Sequence, residues 1–369
     1  MWVWINRLKM INVTKAYLPP LEEYNFYLQK IWESSWLTNE GPLAKELEAQ
    51  LKVYLDVPYF LFTSNGTIAL QIPLKAMELT GEIITTPFSY VATTTAILWE
   101  SATPVFADIE ENTFCIDPAK IEALITPKTC AILATHVYGY PCQVEAIQKI
   151  AQQYNLKVIY DGAHAFGVKY KNKSIYHYGD VSTLSFHATK LFHTVEGGGM
   201  ICHDKSLNDK LQLYKTFGHY MDDYFTIGIN GKNSEFHAAM GLCNLPRVPE
   251  FILQRKLLSE LYQKNLAGFK LQFPKLSEDV EYNYAYFPII LETEDCLLRL
   301  KNKLAENEIN TRRYFYPSLN KLPYLKGEPC PVSESISSRV LCLPLYQELL
   351  PEEVNKISEI ITHFLSTYR

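Results

Sequence analysis

Lys190 stands in SFHATKLFHTVEGGGM, the stretch from Ser185 to Met200, with Leu191 and Phe192 directly after it and Gly197, Gly198 and Gly199 behind Glu196. A charged amine among apolar neighbours is costly unless it is paired or its pKa falls. A lysine with a lowered pKa is a nucleophile, and its commonest use is a Schiff base with a carbonyl. Read alone, Lys190 is more often a solvated surface charge; its weight comes from the chain upstream.

In KVIYDGAHAFG, an apolar strand ends in Asp161, and His164 follows in the next loop. A carboxylate at the end of a buried strand needs a cationic partner. A protonated pyridine nitrogen is one, and the pairing makes pyridoxal phosphate (PLP) a better electron sink. Further upstream, FLFTSNGTIAL runs from a strand through Ser64, Asn65, Gly66 and Thr67 into a helix. Free N–H groups and the dipole at a helix start form an anion site, and a glycine lets a phosphate approach the backbone. Tyr90, in TPFSYVAT, lies in a loop after a strand, where ligands of open α/β sheets gather. Each feature also has an ordinary counterpart: a capping Ser64 or Asn65, a packing tyrosine, an N-cap aspartate, a satisfied core histidine. Together they are the parts that a lysine-bound PLP requires. None of the nine histidines falls in a metal-ligand spacing, so no metal is expected.

The elements that must position these residues alternate. A helix follows Pro19-Pro20 to about Glu33, and LAKELEAQLKVYL places Leu43, Leu47, Leu51 and Leu55 on one stripe. Strand–helix units follow, with an amphipathic helix carrying Val144, Ile147, Ile150 and Ala151. Pro73 falls inside the helix after Thr67 and predicts a kink. A helix over Leu207–Phe217 leads to the polar stretch GINGKNSEF around Asn230. From about Pro249 the texture changes: a helix over Phe251–Phe269, a strand in YNYAYFPIIL, a helix from Cys296 to Glu308, the aromatic run RRYFYP and a last helix. The pattern predicts an α/β part over residues 10–248 and a smaller C-terminal α+β part over 249–369.

The 369 residues suffice for about two domains. A net charge of −5 without a basic cluster gives no nucleic-acid footprint. Eight scattered cysteines with no C-x-x-C predict a reducing, cytoplasmic setting. No apolar run is long enough for a membrane span. MWVWINRLK lacks a cleavage site and reads as an extension ahead of a start at Met10.

The order SNGT, TPFSYVAT, DGAHAFG, SFHATK with EGGG, and GINGKNSEF resembles the DegT/DnrJ/EryC1/StrS family of PLP-dependent sugar aminotransferases, from about Tyr17 to the C-terminus. The resemblance implies the aspartate-aminotransferase type I fold, a mainly parallel seven-stranded sheet with a small domain, working as a homodimer with shared active sites. Carried over residue by residue, it implies that Lys190 forms the Schiff base with PLP, Asp161 pairs with the pyridine nitrogen, and His164 and Tyr90 sandwich the ring. Gly66, Thr67 and Ser185 would hold the phosphate, with Asn230 arriving from the partner subunit. Lys232 stands where many relatives carry arginine near the substrate diphosphate, and lysine lacks the bidentate fork. Arg312 and Tyr316 are expected near the sugar-nucleotide. The runs YLPPLEEY, WESSWLTNEGP and TRRYFYPSL resemble members that aminate C4 of a dTDP-4-keto-6-deoxyhexose with glutamate as donor. PLP would cycle through pyridoxamine phosphate, giving dTDP-4-amino-4,6-dideoxyglucose for O-antigen or other glycans.

Four other readings stand beside this one. Amination at C3 of a dTDP-3-keto sugar uses the same motifs. Family dehydratases carry histidine where this chain has Lys190. A PLP-binding regulator would want a DNA-binding segment, and a Rossmann dehydrogenase a G-x-G-x-x-G after a strand; neither occurs.

Overall fold

A computed structural model describes residues 10–325 and 327–368. Residues 1–9, read above as an extension, lie outside the described residues. Strands β1 (Tyr59–Thr63), β2 (Glu82–Thr85), β3 (Thr103–Phe106), β4 (Thr129–Thr135), β5 (Lys157–Asp161), β6 (Val181–Ser185) and β7 (Gly198–Cys202) form a seven-stranded sheet in the order β1-β7-β6-β5-β4-β2-β3. Strands β2 to β6 pair in parallel, and β7 runs antiparallel to both of its neighbours. The mainly parallel α/β sheet is therefore the one expected. Its parallel strands bring their C-terminal ends, and the loops that follow, to one edge.

The helices bury the stripes that their sequences present. Helices α1 (Leu21–Ser34) and α2 (Pro42–Tyr54) come first, and Leu43, Leu47 and Leu51 of α2 are buried together with Leu55 just beyond it. Each such leucine contributes roughly 1.5–3 kcal/mol relative to exposure. Helix α3 (Gly66–Ala76) runs through Pro73 without interruption, and Met77 N–H donates to Pro73 O at 2.9 Å. Burial encloses the helix on most sides, since Ala69, Leu70, Ile72, Leu74 and Ala76 are all buried. Helices α4 (Val91–Trp99), α5 (Val144–Tyr154), α6 (Lys205–Lys215) and α7 (Glu235–Asn244) complete the layers.

Beyond this lie α8 (Val248–Asn265), β8 (Phe287–Ile290), α9 (Glu294–Glu306), α10 (Pro331–Arg339), β9 (Val340–Leu343) and α11 (Pro351–Thr367), with β8 and β9 paired antiparallel. Leu258, Tyr262, Leu297, Leu300, Leu343 and Ile357 build a second core. Ile11 joins it: Ile11 N–H donates to Glu308 O at 2.9 Å, and Asn310 N–H to Ile11 O at 2.8 Å. The chain thus enters the second core before it builds the first. Among the described residues no helix is long and apolar enough to cross a membrane.

Candidate active site

At the C-terminal edge of the sheet, a cavity of about 370 Å³ opens, lined by residues of the sheet loops and by Tyr286, Arg312, Tyr314 and Phe315 of the C-terminal part. Gly66, Thr67, Tyr90, Asp161, His164, Ser185, Lys190 and Arg312 all face it. Topology alone explains this convergence. Asp161 and Ser185 end β5 and β6, Gly66 starts the helix after β1, and Tyr90 is the residue before α4.

Asp161 is buried, 5% exposed. Oδ2 accepts the Thr93 hydroxyl at 2.7 Å and Oδ1 accepts Ala163 N–H at 3.1 Å. No cation among the described residues forms an ion pair with it. Burial pushes its carboxyl above the ordinary value, opposed by those two hydrogen bonds and by the Lys190 charge. A cationic group entering the cavity would find here a carboxylate with nothing to neutralise it.

Lys190 is half-buried, held in its turn by Lys190 N–H donating to His187 O at 2.8 Å. Enclosure of the amine lowers its pKa, while Asp161, Tyr314 and Tyr90 work against that shift. The condition for a nucleophilic lysine is met. His164 is nearly fully buried, and burial, reinforced by Lys190, holds its imidazole well below the usual range. Tyr138 N–H donates to Nδ1 at 3.2 Å, so the neutral ring carries its proton on Nε2. Phe315 stacks on the same ring at 5.5 Å and 11°.

Asn65 caps α3, its Oδ1 accepting Ile68 N–H at 2.9 Å, which is the ordinary role weighed for it. The N–H groups of Gly66 and Thr67 have no acceptor among the described residues and point past the helix start. A Cβ on Gly66 would lie 2.8 Å from Ser185 Cβ, so this cradle closes if the glycine is filled. A Cβ on Gly198 would come within 2.6 Å of the Asn65 backbone, which gives that glycine of EGGG a packing reason. Anion donors, a buried carboxylate and an amine lining one cavity fit a phosphorylated pyridine aldehyde.

Three expected residues do not line this chain's own cavity, and for Asn230 that accords with the expectation of a place in the partner's site. Tyr316 does not line the cavity: its exposed ring carries the Arg313 guanidinium at 3.4 Å, and its neighbours Tyr314 and Phe315 face the cavity instead. Asn230 is exposed, and the Lys232 amine sits 4.5 Å above the Phe217 ring. Burial lowers the Lys232 pKa, with Glu40 opposing. Residues not anticipated include Thr93, Tyr286 and Tyr314. The signal for Thr93 was present in VATTTAIL, where threonines interrupt an apolar helix. Nothing local marks Tyr286, which follows β7 by more than eighty residues.

Residues 21–362 match the DegT/DnrJ/EryC1/StrS aminotransferase family. The chain belongs to that family. It is 44% identical over 98% of its length to a dTDP-4-amino-4,6-dideoxy-D-glucose transaminase of Shigella dysenteriae, covering 99% of that protein. Its fold superimposes, with a TM-score of 0.93 and 29% identity, on DesI crystallised in the presence of its TDP-sugar product, over 97% of this chain and 93% of that one. NtdA of Bacillus subtilis with bound cofactor PMP gives a TM-score of 0.87 and 30% identity, over 94% of this chain and 82% of that one. This aminotransferase family is PLP-dependent, and the cavity described above has the groups to hold that cofactor.

Proposed function

We propose that this chain transfers an amino group from glutamate to C4 of a dTDP-4-keto-6-deoxyhexose, giving dTDP-4-amino-4,6-dideoxyglucose. The observation that carries the chemistry is Lys190, an amine enclosed in the same cavity as the unpaired Asp161 carboxylate. The sugar assignment draws its support from similarity to the Shigella dysenteriae transaminase.

In this reading, PLP, cycling through pyridoxamine phosphate, supplies the electron sink that stabilises negative charge at the donor carbon. Lys190 anchors it, and its amine, once free, is the base placed to take the proton from the donor Cα and later to deliver one to the sugar C4. Asp161 keeps the ring nitrogen protonated, and His164 packs against the ring as a neutral imidazole. Gly66, Thr67 and Ser185 hold the phosphate at the start of α3. Arg312, on the cavity wall, faces the sugar-nucleotide.

The active unit is a homodimer, with Asn230 and Lys232 serving the neighbouring copy's site. Its support is the run of exposed apolar side chains beside them, Tyr220, Met221, Tyr224, Phe225 and Ile227. Residues up to 248 form the cofactor-binding domain and 249–369 the smaller one, to whose core Ile11 also belongs. The cysteines from Cys115 to Cys342 are free, which supports a reducing, cytoplasmic setting for making an O-antigen or other glycan precursor.

Borohydride reduction of the PLP-loaded protein should fix the adduct on Lys190, read by mass spectrometry. kcat/KM on dTDP-4-keto-6-deoxyglucose should exceed that on the 3-keto isomer by about a hundredfold, since moving the ketone misplaces the reacting carbon by about 1 Å. A preference for the 3-keto sugar rejects the C4 assignment; an adduct on another lysine rejects the whole reading.

A further inference from the structure

Tyr286 precedes β8 in the second unit, yet its hydroxyl lies 3.5 Å from Lys190 Nζ. It is the side-chain hydrogen-bond partner of that amine among the described residues, since no carboxylate there comes within ion-pair distance of Nζ. We propose that Tyr286 is a positioning residue for Lys190, its hydroxyl holding the nitrogen in place as it changes between amine and ammonium. The proposal rests on the reading of Lys190 as the cofactor lysine.

The ring is clamped by other rings, so the direction of the hydroxyl is set. His164 meets it edge-on at 5.0 Å and 70°, Tyr314 at 5.8 Å and 83°, and Tyr138 lies tilted at 5.5 Å. A phenol suits the task because it accepts from an ammonium and donates to an amine without changing its own charge. Burial, helped by Cys342 and Asp161 and opposed by the Arg255 guanidinium, raises the Tyr286 pKa and keeps the hydroxyl protonated. The charged and titratable groups facing Nζ come from several elements: Asp161 from β5, His164 from the loop after it, Tyr90 before α4 and Tyr314 from the segment before β9. Of these, Asp161 is engaged by Thr93 and Ala163, and His164 Nδ1 by Tyr138. Neither the Tyr90 nor the Tyr314 hydroxyl bonds to Nζ among the described residues, whereas the Tyr286 hydroxyl does. The proton that Lys190 takes from the donor Cα arrives on this nitrogen, and the resulting ammonium donates to the phenol oxygen.

A hydrogen bond to a charged group is worth more than one to a neutral group, so loss of the hydroxyl penalises the ammonium more than the amine. The test uses the full chain loaded with pyridoxamine phosphate, in which Lys190 carries no cofactor. Brief acetic anhydride pulses across a pH series, with the Lys190 peptide quantified by mass spectrometry, give the pH midpoint of its reactivity. Tyr286→Phe fills the same space and should lower the midpoint by about one pH unit. It should also slow the glutamate half-reaction of the PLP-loaded protein about tenfold with little change in glutamate affinity. Tyr314→Phe removes a hydroxyl from the same cavity that does not bond to Nζ, and should leave the midpoint in place. An unmoved midpoint in Tyr286→Phe, or equal shifts in both variants, overturns the proposal. Because labelling needs neither turnover nor a sugar, a failure of the dTDP-sugar assignment appears in the substrate assay and not here.

Discussion

The Thr93 hydroxyl donates to Asp161 Oδ2 at 2.7 Å and is itself 2.8 Å from Ser89, which accepts from Thr135 at 3.1 Å. This buried chain of hydroxyls links α4, the Tyr90 loop and β4 to the carboxylate at the end of β5. It keeps a costly charge hydrogen-bonded without neutralising it, which leaves Asp161 free to attract a cation.

Thr93→Val keeps the shape and removes that donor. Asp161 then retains the Ala163 N–H, its carboxyl rises further, and its hold on a ring N–H weakens. PLP affinity should fall about tenfold, the scale of one hydrogen bond to a charged group, measured by absorbance titration. An unchanged Kd would show that Thr93 serves packing alone.

Beneath the phosphate end, Lys215 is 1% exposed and pairs with Glu40 at 2.7 Å and Glu48 at 3.4 Å. Its own carbonyl accepts Gly231 N–H at 2.9 Å, and Gly231 O accepts Ser64 N–H at 2.8 Å, so the cluster braces the segment before the anion cradle. Burial raises the Glu48 pKa, with Lys215 opposing. Lys215→Met strands both carboxylates and should cost about 3–5 kcal/mol in urea unfolding. Adding Glu48→Gln to that variant should recover part of the loss, and a purely additive double mutant would show that the two residues are not coupled.

His136 is fully buried and stacked on Tyr160 at 4.7 Å, and burial depresses its pKa to about 3. The folded state therefore holds this ring neutral while the unfolded chain protonates it below about pH 6.5. Stability should be complete above that pH and fall by about 1.4 kcal/mol per pH unit from this group as acid is added, down to about pH 3. His136→Asn retains an acceptor for Cys142 N–H, which Nδ1 accepts at 3.0 Å in the native chain. Urea unfolding at pH 7.5 and 5.0 should give the variant a pH-dependent loss smaller by about 2 kcal/mol. Identical losses in both proteins would remove His136 as the source.

Short-range chemistry was legible in the residues themselves. The apolar run into Asp161, the Ser64–Thr67 helix start and the leucine stripe of α2 each encode a local rule: an expensive charge, free N–H groups, a helical period. The alternation of strands and helices implied a mainly parallel sheet, and a parallel sheet gathers its loops at one edge. That is why residues as far apart as Gly66 and Lys190 were predictable neighbours.

Contacts that the C-terminal part makes with the sheet edge were beyond reach. Tyr286 meets Lys190 across 96 positions, and the 311–317 segment turns Tyr314 and Phe315 toward the cavity while Tyr316 goes to Arg313. Adjacent aromatics in an irregular segment have no periodicity to assign their faces, so packing decides which ring turns inward. The sequence determined which chemistry the sheet edge would carry. The tertiary structure decided which side chains from the C-terminal part complete it, because Tyr286, Tyr314 and Phe315 reach the cavity by packing onto the core of the large sheet, which depends on long-range packing and not on any local pattern.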